Sequence, residues 1–184
     1  MDFLNSNKLL RIFGIFLSTI SLLIMIGWWL EIDFIVSPTD SVKINTAFCF
    51  LLIGVLAYLH DDNEKFKSIK KVVIALVLIV ATTSLIESIK GVDLGIDTLF
   101  ILNSNTQFHL MSQATAVCFT LAVFAIALLE SSHKDKFSLA KTFFQLLGFI
   151  SLASLISHLL SLTLEAKTDF LSTMSIITSM LFLS

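Results

Sequence analysis

Asn45-Thr46-Ala47-Phe48-Cys49-Phe50 comes back twice further along the chain. Its Thr-Ala-x-Cys-Phe core recurs within Met111-Ser112-Gln113-Ala114-Thr115-Ala116-Val117-Cys118-Phe119. Its frame recurs with substitutions in Met174-Ser175-Ile176-Ile177-Thr178-Ser179-Met180-Leu181-Phe182. Upstream of each copy, Ser21-Leu22-Leu23, Ser84-Leu85-Ile86 and Ser154-Leu155-Ile156 follow one another at spacings of 63 and 70 residues. Between the two series, Leu30-Glu31-Ile32-Asp33 is matched by Leu94-Gly95-Ile96-Asp97. Self-similarity of this kind marks a repeated architecture. It predicts three tandem two-helix units at about 9–64, 70–133 and 139–184.

The units are built for lipid. A chain of 184 residues that is 56% apolar and 14% charged, with a single proline, is excluded from the ordinary soluble classes. A crossing takes ~20 apolar residues, and the uncharged stretches supply six candidates, at roughly 12–30, 44–60, 71–89, 108–129, 141–163 and 169–184. The expected fold is therefore all-α, one polytopic transmembrane domain. The sixth stretch is short for a straight span, so the chain is expected to end inside a helix. A net charge of −2 gives no reason to expect nucleic acid. Cys49 and Cys118 fall inside predicted helices without Cys-x-x-Cys spacing, which points to packing rather than to disulfides or thiol redox chemistry. The first apolar stretch is too long for a secretory leader and lacks a small-residue cleavage site, so it is expected to remain as the first helix.

Basic residues set the expected orientation. With the N-terminus in the cytoplasm, the inner segments hold Lys8, Arg11, Lys65, Lys67, Lys70, Lys71, Lys134, Lys136 and Lys141, nine of the twelve lysines and arginines. The outer segments hold only Lys43, Lys90 and Lys167. Trp28 and Trp29 then sit at the outer headgroup layer. All units point the same way, so the repeat axis is expected to run along the membrane normal.

On that topology the recurring stretch is the outer start of each returning helix. Asn45 and Ser112 are residue types that cap helices. Thr46, Ala47, Thr115, Ala116, Ser175 and Thr178 are small enough to let backbones approach closely, which drives helix association in lipid. Every residue type in the motif is thus explained by capping and packing, with no ligand needed.

Ionisable side chains at membrane depth are costly and therefore the first functional suspects. Glu87, His109 and His158 are expected in the outer leaflet, close to Asp33 and Asp97 of the outer connections. These five are the candidate stimulus-sensing residues. His109 and His158 together are candidate ligands for a metal or haem, or a histidine pair that titrates with external pH; no cofactor is otherwise evident. His60 and His133 fall in inner loops. There is no Gly-x-Ser-x-Gly, no His-Glu-x-x-His and no phosphate-binding glycine loop, so no catalytic residue and no enzyme activity is expected of this chain.

The Gly95-Ile96-Asp97 connection followed by Met111-Ser112, Thr115-Ala116 and Phe119 resembles the multi-pass membrane-associated sensor (MASE-like) region of bacterial histidine kinases and diguanylate cyclases. Members of that group resemble one another through a Met-Ser-Pro-Asn-Thr-Ala-x-x-Phe helix start. Here Gln113 and Ala114 replace its proline and asparagine, and Ile44, Ile176 and Ile177 depart from it in the other copies. The resemblance implies a sensory input module in the bacterial inner membrane, a homodimer coupled to a cytoplasmic signalling module. Two other classes stay open. A small transporter would show as flux, although no predicted helix carries the Gly or Pro interruption of a substrate-coordinating broken helix. A partner-binding membrane protein without catalysis is the other.

Overall fold

The computed structural model describes residues 3–32, 35, 42–59, 66–92, 94–95, 111–129, 134–164 and 174–184. They form six helices: α1 (Phe3–Trp29), α2 (Ile44–Tyr58), α3 (Lys67–Lys90), α4 (Gln113–Leu129), α5 (Lys134–Leu164) and α6 (Ile176–Leu183). No strand is found among the described residues. Stretches of α1, α3 and α5 (Lys8–Trp29, Lys67–Lys90 and Lys136–Leu160) are long and apolar enough to cross a membrane. α2 and α4 are equally apolar but only 15 and 17 residues long, about 23 and 26 Å at the helical rise.

Each helix packs antiparallel on the next. The upper end of the bundle is the one at which α1, α3 and α5 finish. There Trp28 donates its indole N–H to the Val42 carbonyl at 2.8 Å, Gln113 reaches the Ser88 carbonyl, and Ser179 bonds Ser154 at 3.1 Å. Besides consecutive pairs, α2 packs on α4, which puts the short helices inside and the long ones at the rim.

Phe50, Phe119 and Phe182, the residues that close the three recurring stretches, meet at the centre. Their ring centroids are 4.8, 4.7 and 4.8 Å apart in the three pairings, at interplanar angles of 67°, 51° and 63°. Such tilted and edge-to-face contacts set the positive edge of one ring against the negative face of another. Leu17, Cys49, Val77, Ala81, Met111 and Val123 complete the buried core around them. Ser21, Ser84 and Ser154, the serines that recur at fixed spacing, are all fully buried.

Helix ends follow local chemistry. Ser112 and Ser175 accept from the N–H groups of Thr115 and Thr178 at 3.2 and 3.1 Å and bond the same threonines' hydroxyls at 2.7 Å, satisfying donors that a helix start leaves orphaned. α3 ends on Gly91, left-handed at φ +63°, whose N–H returns to the Glu87 carbonyl at 2.8 Å. Only glycine takes that conformation freely. Three departures from expectation follow the same logic. α2 starts at Ile44 with Lys43 in the cap position and no side-chain cap bond, so Asn45 sits inside the first turn and is not the cap. α1 and α5 extend down to Phe3 and Lys134, because polar residues at that end do not interrupt a helix. Trp28 is buried while Trp29 is exposed, since adjacent residues lie about 100° apart around a helix.

Candidate functional site

Among the described residues the bundle is polar inside at its upper end. All twelve buried polar or charged side chains among the described residues lie there: Ser21 on α1, Asn45 and Thr46 on α2, Ser84 and Glu87 on α3, Thr115 on α4, Ser151, Ser154 and Ser157 on α5, and Ser175, Thr178 and Ser179 at the start of α6. Most are satisfied. Ser21 and Ser151 bond back to the carbonyls of Leu17 and Leu147 at 2.8 and 2.9 Å, the usual recourse of a helical serine in an apolar setting. Asn45 spans two helices, its amide donating to Ser84 Oγ at 3.4 Å.

Glu87 stands one turn above that contact and is fully buried. Its Oε1 accepts from the Leu94 N–H at 2.7 Å. That bond fastens the connection after α3 onto the helix. Its Oε2 is sealed from solvent and is the one buried side-chain oxygen or nitrogen without a hydrogen-bond partner among the described residues.

His158 lies half-buried on α5. Its Nε2 meets the Met174 carbonyl. A carbonyl can only accept, so Nε2 carries the hydrogen in this contact. The backbone entering α6 is thus tied to α5. Trp28 holds the Val42 carbonyl in the same way at the entrance to α2. In both units a ring N–H clamps the chain just before the returning helix.

Asp33, Asp97 and His109 lie outside the described residues. Glu87 and His158 sit on α3 and α5, and each of these helices packs against α4. Among the described residues no group of three or more His, Cys, Asp or Glu is placed to hold a metal ion. The small residues of the recurring stretch, Thr46, Ala47, Thr115, Ala116 and Thr178, are all buried between helices.

Two apolar cavities lie below and beside the central rings. A cavity of about 250 Å³ lies between α1, α2, α4 and α5, lined by Leu10, Phe13, Ile53, Leu56, Ile126 and Phe144 among others, with Lys70 at its edge. A second of about 330 Å³ shares Phe13, Ile53, Ile126 and Phe144 and reaches the end of α6.

The bond from Asn45 to Ser84 and the close approach of Gly14 to Gly54 are contacts that the sequence did not lead us to expect. The recurring Ser-Leu-Leu/Ile signal marks Ser84, but nothing in one chain tells which helix it faces. No family model, curated protein or solved structure matches this chain.

Proposed function

We propose that this chain is the membrane-embedded input module of a bacterial signalling protein, receiving its stimulus at the polar upper end and relaying it inward to a cytoplasmic effector. The observation that carries the reading is Glu87: a fully buried carboxyl with one satisfied and one unsatisfied oxygen. A buried polar group left without a partner costs about 1–3 kcal/mol, more when charged. A fold built only for packing has no use for such a group.

In this reading the chain makes six crossings as three parallel hairpins about a common axis, N-terminus inside, in the inner membrane. The central Phe50–Phe119–Phe182 contact and the buried Ser21, Ser84 and Ser154 support the repeat. The lysine distribution supports the orientation. The stimulus shifts α3 and α5 against the inner helices, the small-displacement mode by which packed bundles switch. A homodimer is the natural assembly for such a relay. The chain itself has no catalytic role.

The test is genetic and then biochemical. The reading frame beyond the codon for Ser184 is expected to continue into a kinase, cyclase or PAS module. In the full-length protein, reconstituted in liposomes, Glu87→Gln is expected to change effector output several-fold without lowering expression. Solute flux through vesicles holding the purified chain, with no effector encoded, would establish the transporter in its place.

A further inference from the structure

The rings of Phe50, Phe119 and Phe182 meet at the centre of the bundle. Below its ring α2 runs on for eight residues to Tyr58, and α4 for ten to Leu129. Both runs are uncharged. In each, the residues four and six places after the ring are buried: Gly54 and Leu56 on α2, Val123 and Ala125 on α4. Below Phe182 the corresponding place in the bundle is open. The cavity of about 330 Å³ begins against the last turn of α6, at Leu181, Phe182 and Leu183, and is walled by α1, α2, α4 and α5. The cavity of about 250 Å³ continues it downward. The two share Phe13, Ile53, Ile126 and Phe144, and the lower one reaches Leu10, Leu129 and Lys70.

Two considerations say what fits this space. Its walls are almost wholly apolar, so an occupant that packs against them is apolar too. The last turn of a helix directs its carbonyls onward along the axis, without N–H partners in the turns before, and the last turn of α6 lines the cavity. A lipid acyl chain would cover the walls but has no donor for such carbonyls. Further turns of helix do both, because each new N–H pairs with the carbonyl four residues earlier. We propose that the two cavities are the seat of a helix that continues α6 beyond Ser184 in the register of α2 and α4, for about eight to ten residues below Phe182. Positions 186 and 188, four and six places after Phe182, are then apolar and buried, and the helix emerges near Lys70. At its upper end α6 is fastened to α5 by the bond from Ser179 to Ser154 and by His158 against the Met174 carbonyl. A shift of α5 is therefore passed to the seated helix. In that use the inference rests on the input-module reading, for which it names the element that carries the displacement inward; the fit itself rests on packing alone.

The test uses the protein as its gene encodes it, in membranes, with Cys49→Ala and Cys118→Ala to remove the native thiols. Ile126→Cys, which lines both cavities, is paired with a cysteine at each position from 185 to 192 in turn and oxidised. Disulfide yield is expected to rise and fall every three to four positions, as one face of a helix passes Ile126. Phe149→Cys, on the outward face of α5, is expected to give none. Should the paired variants fail to fold, single cysteines at 186 and 188 decide the matter. They are expected to react with maleimide at least tenfold more slowly than Val92→Cys on the exposed turn after α3, and equal rates overturn the proposal. A charged residue at 186 or 188, a stop codon directly after Ser184, or disulfide yields without a helical period also overturn it. So does native mass spectrometry in which a phospholipid stays bound and is displaced by Ile126→Trp, which makes the cavities a lipid site. A seated helix followed by a stop leaves the seat standing and sinks the input-module reading. A kinase or cyclase joined by a charged segment directly after Ser184 sinks the seat alone.

Discussion

Phe119 is fully buried and touches both Phe50 and Phe182, so its ring is shared by three helices that are distant in sequence. In lipid the drive for such contacts is packing, because the surrounding chains are as apolar as the side chain itself. Removing the ring leaves a void where three helices meet, and tightly packed interiors close such voids only in part. Phe119→Ala is therefore expected to lower stability by about 3 kcal/mol, read as a shift in the unfolding midpoint in mixed detergent micelles. Phe149 provides the contrast. At 70% exposure it faces outward from α5, and Phe149→Ala is expected to change stability by less than ~0.5 kcal/mol. Equal effects at the two positions would mean that the central ring contact contributes nothing of its own. The triad is legible in the sequence as a recurrence, since Phe50, Phe119 and Phe182 hold the same place in each copy. Asn45 is only half legible: its type suits a cap, but the backbone starts one residue earlier and turns its amide towards Ser84.

Between α1 and α2 the closest approach is made by the absence of side chains. A Cβ on Gly14 would lie 2.6 Å from the Gly54 carbonyl oxygen and 2.7 Å from the Tyr58 nitrogen, and one on Gly54 would lie 2.4 Å from Ser18 Oγ and 2.8 Å from the Gly14 carbonyl oxygen. Backbone atoms are the obstacle in both cases, so the helices themselves must separate. Gly54→Ala or Gly14→Ala is expected to cost roughly 1–3 kcal/mol, the usual range for overpacking. Gly148, on α5, has nothing within 4 Å of an added Cβ, and Gly148→Ala is expected to gain about 0.5–1 kcal/mol from helix propensity. Unfolding midpoints of the three variants under one condition check the sign of each. The repeats do not predict the Gly14–Gly54 contact, because it belongs to one unit only; the equivalents of Gly14 in register with Ser21 are Val77 and Leu147. A recurring pattern discloses what the units share. Contacts that distinguish them depend on how each helix is rotated, which a single sequence does not encode visibly.

At the scale of the molecule, the polar interior and most of the described lysines and arginines lie at opposite ends of the bundle. Buried serines, threonines, Asn45 and Glu87 occupy the end where α1, α3 and α5 finish, while Lys8, Arg11, Lys67, Lys70, Lys71, Lys136 and Lys141 gather where those helices begin. Cationic segments are retained in the cytoplasm during insertion, so the asymmetry predicts that the polar end faces outward. Cysteine labelling tests the arrangement directly, and the native Cys49 and Cys118 are buried and give little background. Lys8→Cys, Lys67→Cys and Lys136→Cys are expected to react with a membrane-impermeant maleimide only in inverted vesicles. Val92→Cys, on the exposed turn after α3, is expected to react only in right-side-out vesicles. Reaction of Lys67→Cys and Val92→Cys from the same side would mean that α3 does not cross the membrane. If all four sites react with the pattern inverted, the hairpins stand but the polar end faces the cytoplasm.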